Sequence, residues 1–231
     1  MNYISHIGQD RWVAETLKYK RGGYFLDFGG FDGLMHSNTF FLERFLNWRG
    51  ILVEPNPVPY ASACAVRSCI TINAALWVRS RDLLRFTDSH GLSSIVDFEE
   101  NDSNAALRKK ISQGIIEVDT INPTELLRRF SSPSSIDYMS LDVEGAELTV
   151  LGALDLDFYR IALMSIEHNH EIERKMEIRD RLYKRGYSVV EHRNDDLFFN
   201  LDYLFEVTGG DFIDPRISQK NVYENYKLVE Y

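Results

Sequence analysis

A chain of 231 residues, 44% apolar and 13% aromatic, is long enough to bury one core, whereas two complete domains would be cramped. Its formal net charge of −9 and isoelectric point of about 5.2 disfavour a nucleic-acid partner, because nucleic-acid phosphates attract basic surfaces. No apolar run approaches the roughly 20 residues of a membrane span, no secretory signal is visible, and two cysteines are too few for a disulfide framework. The sequence therefore predicts a cytoplasmic protein without a membrane span.

The first third of the chain alternates helical and strand patterns in units of roughly 25 residues, which is typical of βαβ crossovers and of a parallel sheet covered on both faces. The patterns predict helices over residues 8–17, 37–48 and 60–66, and strands over residues 24–28, 51–54 and 70–77. Ser37 or Asn38 is the predicted cap of the second helix.

This rhythm stops at residues 78–114, where charged and polar residues dominate. The change predicts an insertion at the ligand edge of the sheet, with one hairpin formed by residues 83–86 and 93–96. Long insertions in compact domains often serve as lids or substrate-binding loops. Disorder is the alternative interpretation.

Regular patterns return after the insertion. They predict strands over residues 115–121, 136–143 and 161–167, helices over residues 123–130, 146–154 and 171–185, and a final antiparallel pair over residues 187–191 and 197–201. The tail, residues 202–231, receives no firm structure. We thus predict one domain over residues 1–231, with an insertion at about 78–114 and this C-terminal tail.

The stretch from Gly23 to Gly33 predicts a buried strand that runs into a glycine loop, where Gly29 and Gly30 let the backbone approach a ligand closely. Two acids in this stretch, Asp27 and Asp32, indicate which ligand the loop binds. Two carboxylates would repel a pyrophosphate by several kcal/mol at the low effective dielectric of a cleft. S-adenosylmethionine has a sulfonium and an ammonium group and no phosphate, so the two acids favour this methyl donor over a dinucleotide.

Other polar residues follow the next predicted strands, and the carboxyl ends of strands are where open α/β sheets bind ligands. Glu54 lies 21 residues beyond Gly33, where an acid can accept hydrogen bonds from two ribose hydroxyls. Asn73 follows the third strand, near the expected position of an adenine. The sequence therefore predicts that both residues contact the donor.

The fourth and fifth strand ends contribute Asp142, Glu144, Glu167 and His168. One hypothesis gives His168 or a carboxylate the task of removing the proton of a substrate hydroxyl during in-line methyl transfer. The other places a divalent cation such as Mg²⁺ on Asp142, Glu167 and His168, because clustered carboxylates repel one another without a cation. The sequence leaves both open.

Several motifs, taken in this order, resemble the FkbM family of methyltransferases. They are Gly8-Gln-Asp10, Tyr24-Phe-Leu-Asp-Phe-Gly-Gly-Phe-Asp-Gly33, Ser37-Asn-Thr39, Leu52-Val-Glu-Pro-Asn56, Asn73-Ala-Ala75, Ser140-Leu-Asp-Val-Glu-Gly-Ala-Glu147 and Ile166-Glu-His-Asn169. The resemblance covers roughly residues 5 to 200. It implies an α/β fold of the class I, Rossmann-like methyltransferase type, a three-layer sandwich whose mostly parallel sheet has seven strands, the last one antiparallel.

The resemblance also implies an S-adenosylmethionine-dependent O-methyltransferase that acts on a hydroxyl of a sugar, glycoconjugate or related polyhydroxy molecule. Asp142 and Glu144 would face the methyl-transfer centre. The expected donor contacts are Asp27, Gly29, Gly30, Asp32, Ser37, Asn38, Glu54, Asn73 and Asp142.

Two alternatives stay open on the sequence, a nicotinamide-dependent oxidoreductase and a non-catalytic adenosylmethionine-binding module. Against the first, the glycines follow the pattern GGxxG instead of GxGxxG. An RNA methyltransferase is disfavoured by the net charge. The expected partner is a small-molecule or glycan acceptor, and the oligomeric state, a homodimer included, is open.

Overall fold

A computed structural model describes residues 3–89, 93–96, 105–169 and 171–226, with side chains described up to residue 222. The described residues form strands β1 (Tyr24–Phe28), β2 (Arg49–Val53), β3 (Ile70–Ile72), β4 (Ala75–Leu76), β5 (Leu83–Asp88), β6 (Ser94–Ile95), β7 (Gly114–Ile121), β8 (Ser135–Leu141), β9 (Arg160–Glu167), β10 (Ser188–His192) and β11 (Asp195–Phe199). The helices are α1 (Gln9–Thr16), α2 (Phe40–Leu46), α3 (Pro57–Val66), α4 (Ala105–Ile111), α5 (Pro123–Arg129), α6 (Glu147–Ala153), α7 (Ile172–Tyr183), α8 (Leu201–Thr208) and α9 (Pro215–Tyr226).

Seven strands form the main sheet, in the order β10-β11-β9-β8-β1-β2-β3. The pairs β1–β2, β1–β8, β2–β3 and β8–β9 are parallel, whereas β11 is antiparallel to both of its neighbours, β9 and β10. The predicted seven-stranded, mostly parallel sheet with an antiparallel last strand is therefore confirmed.

Both faces of this sheet are buried, as its continuous apolar strands require. Neighbouring residues Phe25 and Leu26 are both fully buried and belong to different core clusters. Leu26 packs on the side of α5, α6 and α7, and Phe25 on the side of α1, α2 and α8. Helices thus cover both faces of the sheet. A cleft therefore has room at the ends of the strands.

A second sheet has the order β4-β7-β5-β6, and it includes the predicted hairpin, with Phe86 opposite Ile95. The prediction of one continuous strand over residues 70–77 is wrong. The Asn73 side chain donates to the carbonyl oxygens of Glu54 and Pro55, each at 2.9 Å, and the chain turns out of the main sheet there. Ala75 and Leu76 instead pair with β7 in the second sheet.

The C-terminal tail contains two helices that were not predicted. Asn200 caps α8 by accepting from the N–H groups of Asp202 and Tyr203, each at 3.1 Å. The indole N–H of Trp12 in α1 donates to the carbonyl of Pro215 at 3.0 Å, which joins the start of α9 to the first helix. Among the described residues, no helix combines the length and the apolar character that crossing a membrane requires.

The turn after β1 depends on Gly29. Its φ is +88°, and a Cβ atom built there would lie 1.6 Å from the carbonyl oxygen of Asp142. The backbone N–H groups of Gly29 and Gly30 both donate to the carbonyl of Val53, at 3.0 and 3.1 Å. The glycine loop is therefore held between the ends of β2 and β8.

We expect Gly29→Ala to lower the free energy of unfolding by roughly 4 kcal/mol or more, since backbone must move to admit the methyl group. Gly22→Ala is the matched control, because Gly22 has a φ of +70° and open space where the Cβ would lie. It should lose only about 1–2 kcal/mol, the cost of a left-handed L-residue. Urea denaturation of both variants measures the difference, and equal losses would contradict this view of the turn.

Candidate active site

A cavity of about 780 Å³ opens at the carboxyl ends of β1, β2, β8 and β9. This volume is within the range of about 300–1,000 Å³ that is usual for small-molecule sites. Six carboxyl groups line the cavity, and none of its described lining residues is a lysine or an arginine. The six acids are Asp27, Glu54, Asp142, Glu144, Glu167 and Asp195.

Glu54 follows β2 and faces the glycine loop. Its carboxylate accepts from the backbone N–H of Phe31 at 3.0 Å and from that of Asn56 at 2.8 Å. Burial nevertheless raises the pKa of Glu54 to about 7, and the nearby Asp142 and Asp27 add to this effect. Each oxygen uses one lone pair for a backbone N–H, so both retain acceptor capacity toward the cavity.

The charge of Asp27, at the end of β1, is balanced by groups that lie behind the cavity wall. It accepts from the hydroxyl of Thr39, and the buried guanidinium of Arg67 lies 3.6 Å away. Arg67 also binds Glu43 at 2.6 Å and Thr39 at 2.8 Å. Burial still raises the pKa of Asp27, against the influence of Arg67.

Asp142 and Glu167, at the ends of β8 and β9, form a hydrogen-bonded carboxyl pair. Burial raises the pKa of Glu167 well above its ordinary value, and the charges of Asp142 and Glu144 raise it further. Glu167 therefore holds the shared proton. The Oδ1 atom of Asp142 is buried without a hydrogen-bond partner among the described residues.

Glu144 lies beyond the end of β8 and has a φ of +49°. The strand was predicted to continue to residue 143 but ends at Leu141, so strand alternation does not place Glu144 beside Asp142. Its carboxylate accepts from the guanidinium of Arg108 at 3.1 Å. Arg108 is 1% exposed and belongs to α4 in the insertion, which is thereby joined to the main sheet.

Asp195 lines another wall of the cavity, together with Gln9 and Asn194. Because β11 is antiparallel, its first residue pairs with the last residue of β9, Glu167. The side-chain amide of Gln9 donates to Asp195 at 2.9 Å. Burial raises the pKa of Asp195 to about 7, and Asp142 and Asp196 contribute to the shift.

Not every predicted site residue lies on the cavity. Asp32 accepts from the backbone N–H groups of Leu34 and Met35, at 2.9 and 2.7 Å, and stabilises its own turn. Asn73 is exposed and holds the turn that ends β3. His168 is buried with its Nε2 atom 3.7 Å from Asp196, which Arg179 binds through two hydrogen bonds of 2.6 Å.

The remaining predicted residues do line the cavity: Asp27, Gly29, Gly30, Ser37, Asn38, Glu54, Asp142, Glu144 and Glu167. Asn38 donates to Ser140 at 2.9 Å, and its Oδ1 atom is buried without a hydrogen-bond partner among the described residues. The geometry groups Asp142, Glu144 and Glu167, each with one oxygen within 4.8 Å of the others, in place of the predicted set Asp142, Glu167 and His168.

Sequence reasoning missed several cavity residues, among them His6, Gln9, His36, Asn194 and Asp195. One signal was present for Gln9, which belongs to the Gly8-Gln-Asp10 motif. Another was present for Asp195, because the first residue of an antiparallel strand shares the edge at which its parallel neighbours end.

A seven-stranded sheet with this strand order, an acid-rich cavity at its carboxyl ends and a glycine loop after β1 define a class I methyltransferase fold. The sequence profile of the Methyltransferase FkbM domain matches residues 27–189. The chain belongs to this family, as the sequence motifs indicated, and is thus an S-adenosylmethionine-dependent methyltransferase.

A search of the curated proteins gave no significant match. Among solved structures, the chain is similar to the delta-N METTL16 MTase domain, with 12% sequence identity and a TM-score of 0.37 over 83% of this chain and 79% of that chain. So distant a likeness has no bearing on substrate or mechanism.

The raised carboxyl pKa values predict how stability changes with pH. Between about 4.5 and 7 the folded protein holds the Glu54 proton and the unfolded chain does not, so the free energy of unfolding falls as pH rises through this window. The shift corresponds to roughly 3 kcal/mol. Asp195 acts in the same direction, up to about pH 7.

Urea denaturation between pH 4.5 and 8 should show this loss, and Glu54→Gln and Asp195→Asn should each make it shallower. Glu117→Gln, a change at an exposed acid of β7, is the control and should leave the slope unchanged. A protein whose stability rises steadily across the window would contradict the assignment.

Proposed function

We propose that this methyltransferase transfers the methyl group of S-adenosylmethionine to a hydroxyl of a sugar, glycoconjugate or related polyhydroxy molecule. The observation that carries the proposal is the acid-lined cavity, in which six carboxyl groups meet no lysine or arginine among the described lining residues. Such a lining favours a cationic donor and a hydroxyl-rich acceptor, and it disfavours phosphate groups.

The donor fits the side of the cavity formed by the glycine loop. Gly29 and Gly30 line this side, and no side chain fits at Gly30, since a Cβ atom there would lie 2.3 Å from Leu52. The free acceptor capacity of Glu54 suits a pair of ribose hydroxyls. The unpartnered Oδ1 of Asn38 offers a further acceptor for the donor's ammonium group. The bound donor supplies an electrophilic methyl group on a sulfonium.

The acceptor fits the other side, near Asp142, Glu144, Glu167 and Asp195. Carboxyl and amide groups recognise vicinal hydroxyls because they offer donors and acceptors at fixed positions. The amides here are Gln9, Asn169 and Asn194. These residues would orient an acceptor hydroxyl toward the donor's methyl group, which is the main requirement of in-line transfer.

A divalent cation does not fit this arrangement well. Glu144 is already paired with Arg108, and a guanidinium beside a Mg²⁺ ligand repels the ion. His168 faces Asp196 and Arg179 instead of the other two predicted ligands. We therefore propose transfer without a metal ion.

Donor binding tests the proposal first. Isothermal titration calorimetry should show binding of S-adenosylmethionine and none of NAD. Glu54→Gln should weaken donor binding by about 10- to 100-fold, since hydrogen bonds to a charged group contribute about 1.5–3 kcal/mol. Asp32→Asn is the matched control, and it should change the affinity less than threefold because Asp32 serves its own turn. NAD binding without donor binding would favour the oxidoreductase.

The choice of acceptor is the second test of the proposed function. We expect S-adenosylhomocysteine to form with neutral or amine-bearing sugars at least tenfold faster than with the corresponding sugar phosphates, because a phosphate meets several carboxyl groups in the cavity. EDTA treatment should leave the rate within twofold. Turnover that requires added Mg²⁺ would refute the metal-free proposal. Donor binding with no turnover on any polyhydroxy acceptor would favour the non-catalytic module.

A further inference from the structure

The proposed reaction releases a proton from the acceptor hydroxyl, and three of the four residues predicted to take it are engaged in other contacts. His168 is buried against Asp196, outside the cavity lining. Glu167 already holds a proton toward Asp142, and Glu144 is paired with Arg108. The cavity contains two other histidines among its described lining residues, His6 and His36.

His6 lies on the N-terminal segment, residues 4–10, which is held against the cavity at several points. The carboxylate of Asp10 accepts from the N–H of Ile4 at 2.8 Å and from the Ser5 hydroxyl at 2.5 Å. Ser5 also forms an isolated parallel bridge with His36. A chain segment fixed on this side of His6 keeps its imidazole at the cavity mouth.

The other side of His6 is fixed as well. The carbonyl of Ile7 lies 2.6 Å from Nε2 of His192, and the N–H of Ile7 donates to the side chain of Gln9 at 3.1 Å. Gln9 in turn donates to Asp195 of the cavity wall. The backbone of the segment is thus tied to α1, to β10 and to the acidic wall, while the imidazole of His6 is exposed.

Three charged or titratable groups face His6 from different elements. They are His36 in the loop before α2, Arg193 in the turn between β10 and β11, and Asp142 after β8. Partial desolvation at the cavity lowers the pKa of His6. The charges of His36 and Arg193 lower it further, whereas that of Asp142 raises it. The imidazole is therefore neutral at neutral pH and lies within the electrostatic reach of Asp142, beside the acceptor half.

We propose that His6 is the general base of the methyl transfer, an inference that rests on the proposed function. The O–H bond of the acceptor breaks as its oxygen bonds to the methyl carbon, and the proton passes to the unprotonated ring nitrogen of His6. The electron pair of the broken carbon–sulfur bond stays on sulfur. The imidazolium that results is stabilised by the charge of Asp142 and can lose its proton to solvent, because the ring is exposed.

His36 provides a matched control. Its ring lies 5.0 Å from that of His6, and it also lines the cavity, but it is not among the groups that act on Asp142. His6→Gln should lower kcat by about 10²- to 10⁴-fold, the usual contribution of a general base. His36→Gln should stay active, and the fall of its kcat/KM at low pH should move to higher pH, because His36 lowers the pKa of His6. Both variants should bind S-adenosylmethionine within twofold of the wild-type affinity.

The pH dependence separates a base from a structural residue. The wild-type kcat/KM should fall at low pH with the titration of His6, and this acidic limb should be absent from His6→Gln. Imidazole in the buffer should partly restore the rate of His6→Gly. Equal kcat values for His6→Gln and the wild type, or an acidic limb that persists in His6→Gln, would overturn the proposal.

A spectroscopic measurement tests His6 without turnover. The C2–H resonance of His6, assigned by its loss in His6→Gln, should titrate below 6.5 and shift when S-adenosylhomocysteine is added, whereas the buried His192 should shift less. A His6 that titrates above 6.5 and ignores the ligand would refute the assignment even if no acceptor were found. Failure of the donor to bind the wild type would refute the proposed function instead.

Discussion

The constraint on which this site depends is the crowding of six carboxyl groups, four of them buried and two half-buried, around one cavity. Isolated buried charges are costly, so each acid needs a partner or a proton. Asp27 and Glu144 receive arginines, Arg67 and Arg108, which lie behind the cavity wall. Glu54 receives two backbone N–H groups, and Asp142 and Glu167 share a proton. This arrangement keeps cations out of the lining and leaves the cavity itself acidic.

Meeting that constraint brings together parts of the chain that are far apart in sequence. Arg108 comes from the insertion, Gln9 from the first helix and Asp195 from the last hairpin. The match to the family profile spans residues 27–189, so Gln9 and Asp195 lie outside it. The cavity therefore has one wall that belongs to the matched region and another that the flanking segments of this chain supply. The second wall is where we expect acceptor selectivity to reside.

The strands of the main sheet could be read from the sequence because a buried parallel strand is a continuous apolar run, and β1 and β9 were predicted almost to the residue. Acids at the strand ends were found for the same reason. The split of residues 70–77 was missed, because the apolar pattern continues through a break that only the side-chain hydrogen bonds of Asn73 reveal.

The direction in which a side chain points beyond the end of a strand could not be predicted from the sequence either. Strand alternation turns Glu167 toward the cavity, opposite Asp195, whereas the next residue, His168, packs on Asp196. In the sequence, nothing indicates that His168, directly after the strand, points in a different direction from Glu167 at the strand's end. Arg108 gave no local signal at all, since its importance follows only from its contact with Glu144.

The shared proton has a consequence for the proposed chemistry. Positive charge on sulfur disappears as a methyl group leaves, so an ionised carboxylate beside that sulfur stabilises the bound substrate more than the transition state, and slows the step. Asp142 and Glu167 carry one charge between them instead of two, which weakens this ground-state stabilisation near the acceptor. The proposed reaction then calls for a base outside this pair, because the pair already holds a proton. An exposed imidazole at the cavity mouth meets that need without adding a seventh carboxylate to the wall.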